Sequence, residues 1–357
     1  MAPGVVDSTK VDGGWSTTSR LTGPLKYSGS LEEYKYFDAT PILGREFPTL
    51  QLSDILNDDR KVRDLAILVS QRNVVFFRNQ NLTVEEQKIL VQKLGELTGK
   101  PESSGARGPR YLHRHVLANS KRGITVNEDG KLDDEVSVIS SEVSTSTLNM
   151  IVCSLENSSI TFEHIPSDYA VLKLVTVPDD GSGGDTLWAS GYEAYDRLSP
   201  PWQKFAESLE ATHHQPQFAR IQKEYNDELL DGMRGSPANV GLDFKVTHPV
   251  VRTNPVTGWK SLFSLGRLVE RGWINDVTDR ESEIIKAYFL QLIAENHDLQ
   301  VRFKWGQNDM AIWDNRSSFH TATTDYTGKR QGNRAVSLGE KPFFDPSSIS
   351  RKEALGL

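Results

Sequence analysis

From about residue 110 onward the chain is a succession of short β-rich runs: Val136–Ile139, Ile160–Phe162, Tyr169–Val177, Thr186–Ala189, Met310–Trp313 and Ala335–Leu338. Gly, Pro, Asp and Asn break them at irregular intervals, a texture that suits a β-sandwich or barrel and leaves no room for a repeated βαβ unit. Upstream the pattern is α/β without a parallel-sheet rhythm. Leu65–Val69 reads as a helix end, residues 73–78 as a buried strand, and Val84–Leu97 as a second helix entered through Thr83 as N-cap with Glu86 as its capping-box partner. Two further helical stretches interrupt the strands: Gly191–Leu209, broken at Pro200-Pro201, and Asp279–Glu295, where Ile284, Ile285, Tyr288, Leu292 and Ile293 recur at helical spacing. They are expected on the outside of a mainly β core within a mixed α/β fold. Residues 213–245 are polar, charged and weakly periodic, which suits a lid-like excursion better than a second domain.

The 357 residues suffice for one large domain or two ordinary ones. Residues 1–40 hold few clustered apolar positions and many Gly, Ser, Thr and Pro, and read as a flexible arm; 41–348 form a single domain and 349–357 a tail. Forty-eight acidic against 41 basic side chains give a net charge of -7, which offers phosphate backbones and anionic lipid nothing in bulk. Nucleic-acid and membrane partners are therefore not expected. No apolar run reaches the length of a membrane span, the first residues lack the apolar core of a secretion signal, and the lone Cys153 cannot form an internal disulfide. A reduced, cytoplasmic protein is the expectation. Association into homo- or hetero-oligomers stays open.

The chemistry-bearing residues gather late in the chain. His320 follows a strand and the turn Asp314-Asn315-Arg316-Ser317, and Arg330 and Arg334 come ten and fourteen residues later on a returning segment. Two guanidinium groups four apart on a strand face the same side, and their rigid forks suit carboxylates. Gly183-Gly184-Asp185-Thr186 forms a tight turn into a strand whose threonine hydroxyl is suited to bond the same anion.

The segments GGDTLWASGYEAYDRLSP, FEHIPSDYAVLKL, HPVVRTNPVTGWK, IWDNRSSFHTAT and RAVSLGEKPFFDP, in this order, resemble the fungal branch of the taurine dioxygenase family of Fe(II)/2-oxoglutarate oxygenases. The resemblance covers about residues 40 to 348. It implies a double-stranded β-helix, or jelly roll, with flanking helices, and an enzyme that uses 2-oxoglutarate and O2 to hydroxylate, desaturate or cleave a small metabolite of sulfonate or specialised metabolism, with an anion favoured. Residue by residue, it makes His320 the distal iron-ligating histidine, Thr186 and Arg330 the binders of the 2-oxoglutarate carboxylate, and Arg334 the residue that grips a substrate anion. His115 falls near the substrate pocket. The stretch Phe263–Val269 departs from the family's usual sequence and implies a remodelled pocket wall.

The family's iron site also needs His-x-Asp ahead of Ile160, and this chain has Asn157-Ser158-Ser159 there. A neutral amide stands for an imidazole and a neutral hydroxyl for a carboxylate, so metal affinity and charge compensation both fall. Three accounts compete. The departure is packed into Val143–Ser159, as a retained intron or wrong splice junction would leave it. Alternatively iron is lost, and the jelly roll acts as a non-oxidative enzyme, such as an isomerase or dehydratase, or as the silent partner of an active homologue. Least favoured is a rebuilt metal site using His164, Glu163, Glu156 or Cys153 with His320, since strand parity turns His164 to the other face.

The remaining candidates have plainer readings. His113, His213, His214, His248 and His297 fit surface or hydrogen-bonded histidines, Trp188 and Trp313 core aromatics, Asp314 and Asn315 braces of a turn, and Asp133-Asp134 and Asp179-Asp180 solvated loops.

Overall fold

A computed structural model describes residues 24–101, 124–126, 132–140, 160–178, 183–225, 229–263 and 272–357. In chain order the first eight strands are β1 (Phe37–Asp38), β2 (Arg45–Phe47), β3 (Val74–Phe77), β4 (Ile124–Val126), β5 (Leu132–Ser140), β6 (Ser167–Thr176), β7 (Thr186–Ser190) and β8 (Glu210–His214). The rest are β9 (Lys245–Pro249), β10 (Val251–Thr253), β11 (Lys260–Leu262), β12 (Trp273–Ile274), β13 (Gln300–Phe303), β14 (Met310–Asp314), β15 (Ser318–Ala322) and β16 (Gln331–Leu338). The helices are α1 (Leu52–Ile55), α2 (Asp59–Arg72), α3 (Val84–Glu96), α4 (Gly191–Asp196), α5 (Pro200–Glu207), α6 (Gln217–Tyr225), α7 (Asp279–Ala294) and α8 (Arg351–Leu355).

Eight strands form one sheet in the order β1-β2-β3-β14-β6-β16-β5-β4, antiparallel except for the pair β2 and β3. One face carries Phe47, Val75, Phe77, Val171, Met310, Ile312 and Ala335 beneath α2 and α3. The other carries Phe76, Ala170, Leu172, Leu174, Ala311 and Trp313, and packs against Trp188, Val301 and Phe303 of the three-stranded sheet β13-β7-β15. Alternation along each strand sends successive side chains to these two cores. Two sheets enclosing an apolar space, with helices outside, form the expected jelly roll.

Local signals account for the helices. Thr83 and Glu86 exchange the two hydrogen bonds of a capping box at the start of α3, as their spacing predicts, and Thr278 with Glu281 does the same for α7. Pro200 and Pro201 separate α4 from α5 by occupying the first turn of the second helix, where a missing N–H costs nothing.

Three expectations need correction. Residues 24–40 do not behave as a flexible arm: Leu31 is fully buried, and Ser28 and Ser30 both donate to the Asp64 carboxylate on α2. Ile160–Phe162 is a bend and turn rather than a strand. Asp133 is buried in β5, 2.5 Å from the Lys88 ammonium of α3, so the paired charge goes inside where an unpaired one would not. The 213–245 stretch carries β8 and α6, and the 349–357 tail carries α8, capped by Ser350 and Glu353.

Candidate functional site

Strand register places His320, Thr186 and Arg334 on the two sheet faces that pack against each other. On the small sheet, His320 of β15 lies opposite Trp188 of β7, which lies opposite Val301 of β13; one row on, Ala322, Thr186 and Phe303 are aligned. On the large sheet, Arg334 of β16 is aligned with Leu172, Ala311 and Phe76. Aligned residues share a face, so Arg334 belongs to the face that meets Trp188, whose ring is 5.4 Å from Phe76 and 5.8 Å from Trp313. The His320 imidazole reaches the same layer, 5.1 Å from the Trp313 ring. The Trp188 indole N–H is buried here without a hydrogen-bond partner among the described residues.

The turn before β7 is built for close approach. Gly183 and Gly184 both have positive φ, +69° and +67°, which suits glycine. A Cβ on Gly183 would stand 2.2 Å from the Asp325 carbonyl oxygen, and one on Gly184 would stand 2.9 Å from Arg330 Cδ. Arg330 therefore lies directly across the turn, with Nε donating to the Gly184 carbonyl at 2.8 Å. The segment between β15 and β16 is tied down beside it. Asp325 accepts from the Gly184 amide and from Arg302, which also donates to Asp185 at 2.7 Å. Thr186, the first residue of β7, accepts a 3.0 Å hydrogen bond from the Trp305 indole N–H. Thr186 and Arg330 are both buried.

Parity alone does not bring the two arginines to one side. Arg330 precedes β16, and the register shifts between Gln331 and Gly332, so the four-residue spacing spans an irregularity. It is the contact with Gly184 that holds Arg330 against β7.

The His320 turn is rigid for electrostatic reasons. Asp314 is fully buried and accepts from Arg316 Nε and Nη2, Ser70 Oγ and Asn254 Nδ2 at 2.7–2.9 Å. Burial opposes its charge, but Arg316 and these donors outweigh it and hold the carboxyl below its usual range. Asn315 accepts from the Trp313 indole. Both residues brace the turn and neither is spare for a ligand.

The segment at 160–166 is fastened from three sides. Glu163 and Arg234 form a buried two-point ion pair at 2.5 and 3.0 Å. His248 Nε2 bonds the carbonyls of Thr161 and Glu163, and the Asn239 amide bonds both N–H and C=O of Ile165. The excursion after β8 thus grips the backbone that follows residue 159. Glu163 is committed to Arg234 and His164 is exposed, so neither serves a rebuilt metal site. His115, Cys153, Glu156, Asn157, Ser159 and residues 264–269 lie outside the described residues, as do His113 and the Asp179-Asp180 pair.

Among the described residues no three of His, Cys, Asp and Glu converge on a metal-sized space. His320 offers one imidazole, and the nearest braced carboxylate of its own turn, Asp314, is taken by Arg316. With an amide and a hydroxyl in the sequence at 157 and 159, the donor set does not fit ferrous iron.

Sequence reasoning missed a buried basic cluster. His213 and His248 are 5.0 Å apart in β8 and β9, and the Arg252 guanidinium lies 4.6 Å from the Phe263 ring and donates to Glu340 at 2.5 Å. Burial drives the His213 pKa down to about 3 and holds His248 and Arg252 below their ordinary values. No local spacing announces these contacts, because they depend on how β8, β9 and β10 stack.

The chain matches the model of the family described as taurine catabolism dioxygenase TauD, TfdA over residues 35–336. It is 46% identical to the alpha-ketoglutarate-dependent dioxygenase btcD of Neocamarosporium betae, covering 93% of this chain and 98% of that protein. It is 44% identical to the alpha-ketoglutarate-dependent dioxygenase oryG of Aspergillus oryzae, covering 95% and 98%. A crystal structure of a taurine dioxygenase from Burkholderia xenovorans superposes with a TM-score of 0.62 at 24% identity, over 88% of this chain and 92% of that one, and shares the fold.

Proposed function

This chain belongs to the taurine catabolism dioxygenase TauD, TfdA family, and on that premise we propose that Arg330 and Thr186 bind the distal carboxylate of 2-oxoglutarate. By family it is a 2-oxoglutarate-dependent dioxygenase of a small molecule. One observation carries the assignment to residues: a buried cation anchored on a glycine turn beside a buried hydroxyl, both at the mouth of β7. Such a pair offsets the desolvation of a carboxylate with one charge and one hydrogen bond, and its fixed fork selects a planar anion. Arg334, on the facing sheet, holds an anionic group of the metabolite, a sulfonate or carboxylate. His320 presents its imidazole toward the reacting end of 2-oxoglutarate, braced by Trp313.

In the family, O2 oxidises 2-oxoglutarate with decarboxylation and the metabolite together, chemistry for which a bound ferrous ion would activate the O2. By sequence, His320 matches one of the family's three iron ligands, and Asn157 and Ser159 stand where the family's His-x-Asp is expected. That mismatch, with Glu163 locked to Arg234, favours a second reading: an iron-less member that binds the dicarboxylate and acts non-oxidatively or beside an active homologue.

Succinate formation decides between them. Purified protein is given ferrous iron, 2-oxoglutarate, O2 and a panel of alkyl sulfonates and carboxylates. Substrate-dependent succinate supports the dioxygenase; 2-oxoglutarate binding without succinate supports the iron-less reading; neither binding nor succinate overturns both.

A further inference from the structure

We propose that Trp305 is a positioning residue that turns the Thr186 hydroxyl into a dedicated donor for the ligand carboxylate. A hydroxyl has one proton to give and two lone pairs, whereas an indole N–H can only donate. The 3.0 Å bond from Trp305 Nε1 therefore fills a lone pair of Thr186 Oγ and turns its proton away from the indole. No acceptor for that proton is found among the described residues, although the hydroxyl is buried in a setting where polar groups are normally satisfied. A bound carboxylate would supply the acceptor.

The indole is held to this task by its surroundings. Trp305 packs edge-on against Phe303 at 5.0 Å and tilts against Trp188 at 6.2 Å. Phe303 is itself aligned with Thr186 across β13 and β7, and Trp305 follows the end of β13 by two residues, so the pairing of these strands carries the donor to the acceptor. Without the indole bond the hydroxyl would rotate among alternatives, and part of the binding free energy would go into ordering it on ligand binding.

The proposal rests on the 2-oxoglutarate reading of Thr186 and Arg330, and its test separates the two. 2-Oxoglutarate is titrated calorimetrically into the full chain as wild type, Trp305→Phe, Thr186→Val and the double variant. Loss of one ordered hydrogen bond predicts about fivefold weaker binding for Trp305→Phe, near 1 kcal/mol. Because the indole acts only through the hydroxyl, the double variant should match Thr186→Val. Additive losses, or an unchanged Trp305→Phe, would overturn the role of Trp305, while a wild type that binds no 2-oxoglutarate would overturn the reading beneath it. Should Trp305→Phe fold poorly, the indole N–H resonance of Trp305 serves instead. It should move on adding 2-oxoglutarate to wild type and stay still in Thr186→Val; a resonance that ignores the ligand in wild type contradicts the proposal.

Discussion

Arg330 lies across Gly184 so closely that its Nε donates to the Gly184 carbonyl at 2.8 Å while its Cδ stands 2.9 Å from where a side chain on that residue would begin. The guanidinium is aimed by a glycine. Gly184→Ala should push Arg330 aside and strain a backbone at φ +67°. We expect 2-oxoglutarate affinity to fall about tenfold, the equivalent of roughly 1.4 kcal/mol, in a chain that remains folded. Calorimetric titration beside a thermal melt checks this, and unchanged affinity would show that the turn does not aim the arginine.

Glu163 and Arg234 neutralise each other where neither sees water. Glu163→Gln leaves a buried guanidinium uncompensated and should cost about 3–5 kcal/mol, whereas combining Glu163→Gln with Arg234→Met removes both charges and should recover most of it. Urea unfolding of the single and double variants measures the difference; a single variant within about 0.5 kcal/mol of wild type would contradict the clamp.

Acid should destabilise the fold through His213. Burial depresses its pKa to about 3, so below the ordinary value near 6.5 the unfolded chain takes up a proton that the folded chain refuses. Stability then falls with pH by up to about 1.4 kcal/mol per unit for this group. Asp196, raised by burial to about 6, works in the opposite direction over the same range, so the effect is read as a difference. His213→Asn should flatten the stability curve between pH 6.5 and about 5 relative to wild type. Parallel curves would mean that His213 titrates normally.

Restoring the family's ligands tests the metal end. The variant carrying Asn157→His and Ser159→Asp should retain ferrous iron through desalting, measured by elemental analysis, whereas wild type should not. Stoichiometric iron in wild type would show that other donors complete the site. A transcript that encodes His-x-Asp before Ile160 would instead trace the mismatch to the reading of the gene.

Much of this was legible in the residues. The capping box at Thr83 and Glu86 and the break at Pro200 act over a few positions, so local spacing predicts α3 and the split between α4 and α5. Ile160–Phe162 has β-branched and aromatic residues yet forms turns, because His248, Arg234 and Asn239 take up the polar groups of residues 161–165 from outside. Asp133 reads as a loop acid until Lys88 arrives from α3. Trp305 carries no sequence signal at all, since its partner Thr186 is 119 residues away.

The most direct measurement is the titration of 2-oxoglutarate into wild type and Arg330→Gln under anaerobic conditions with and without added ferrous iron. The account predicts saturable binding to wild type that persists without metal and weakens about tenfold or more in Arg330→Gln, as expected for a lost charged hydrogen bond. Equal affinity in the two proteins, or no binding to wild type, would contradict it.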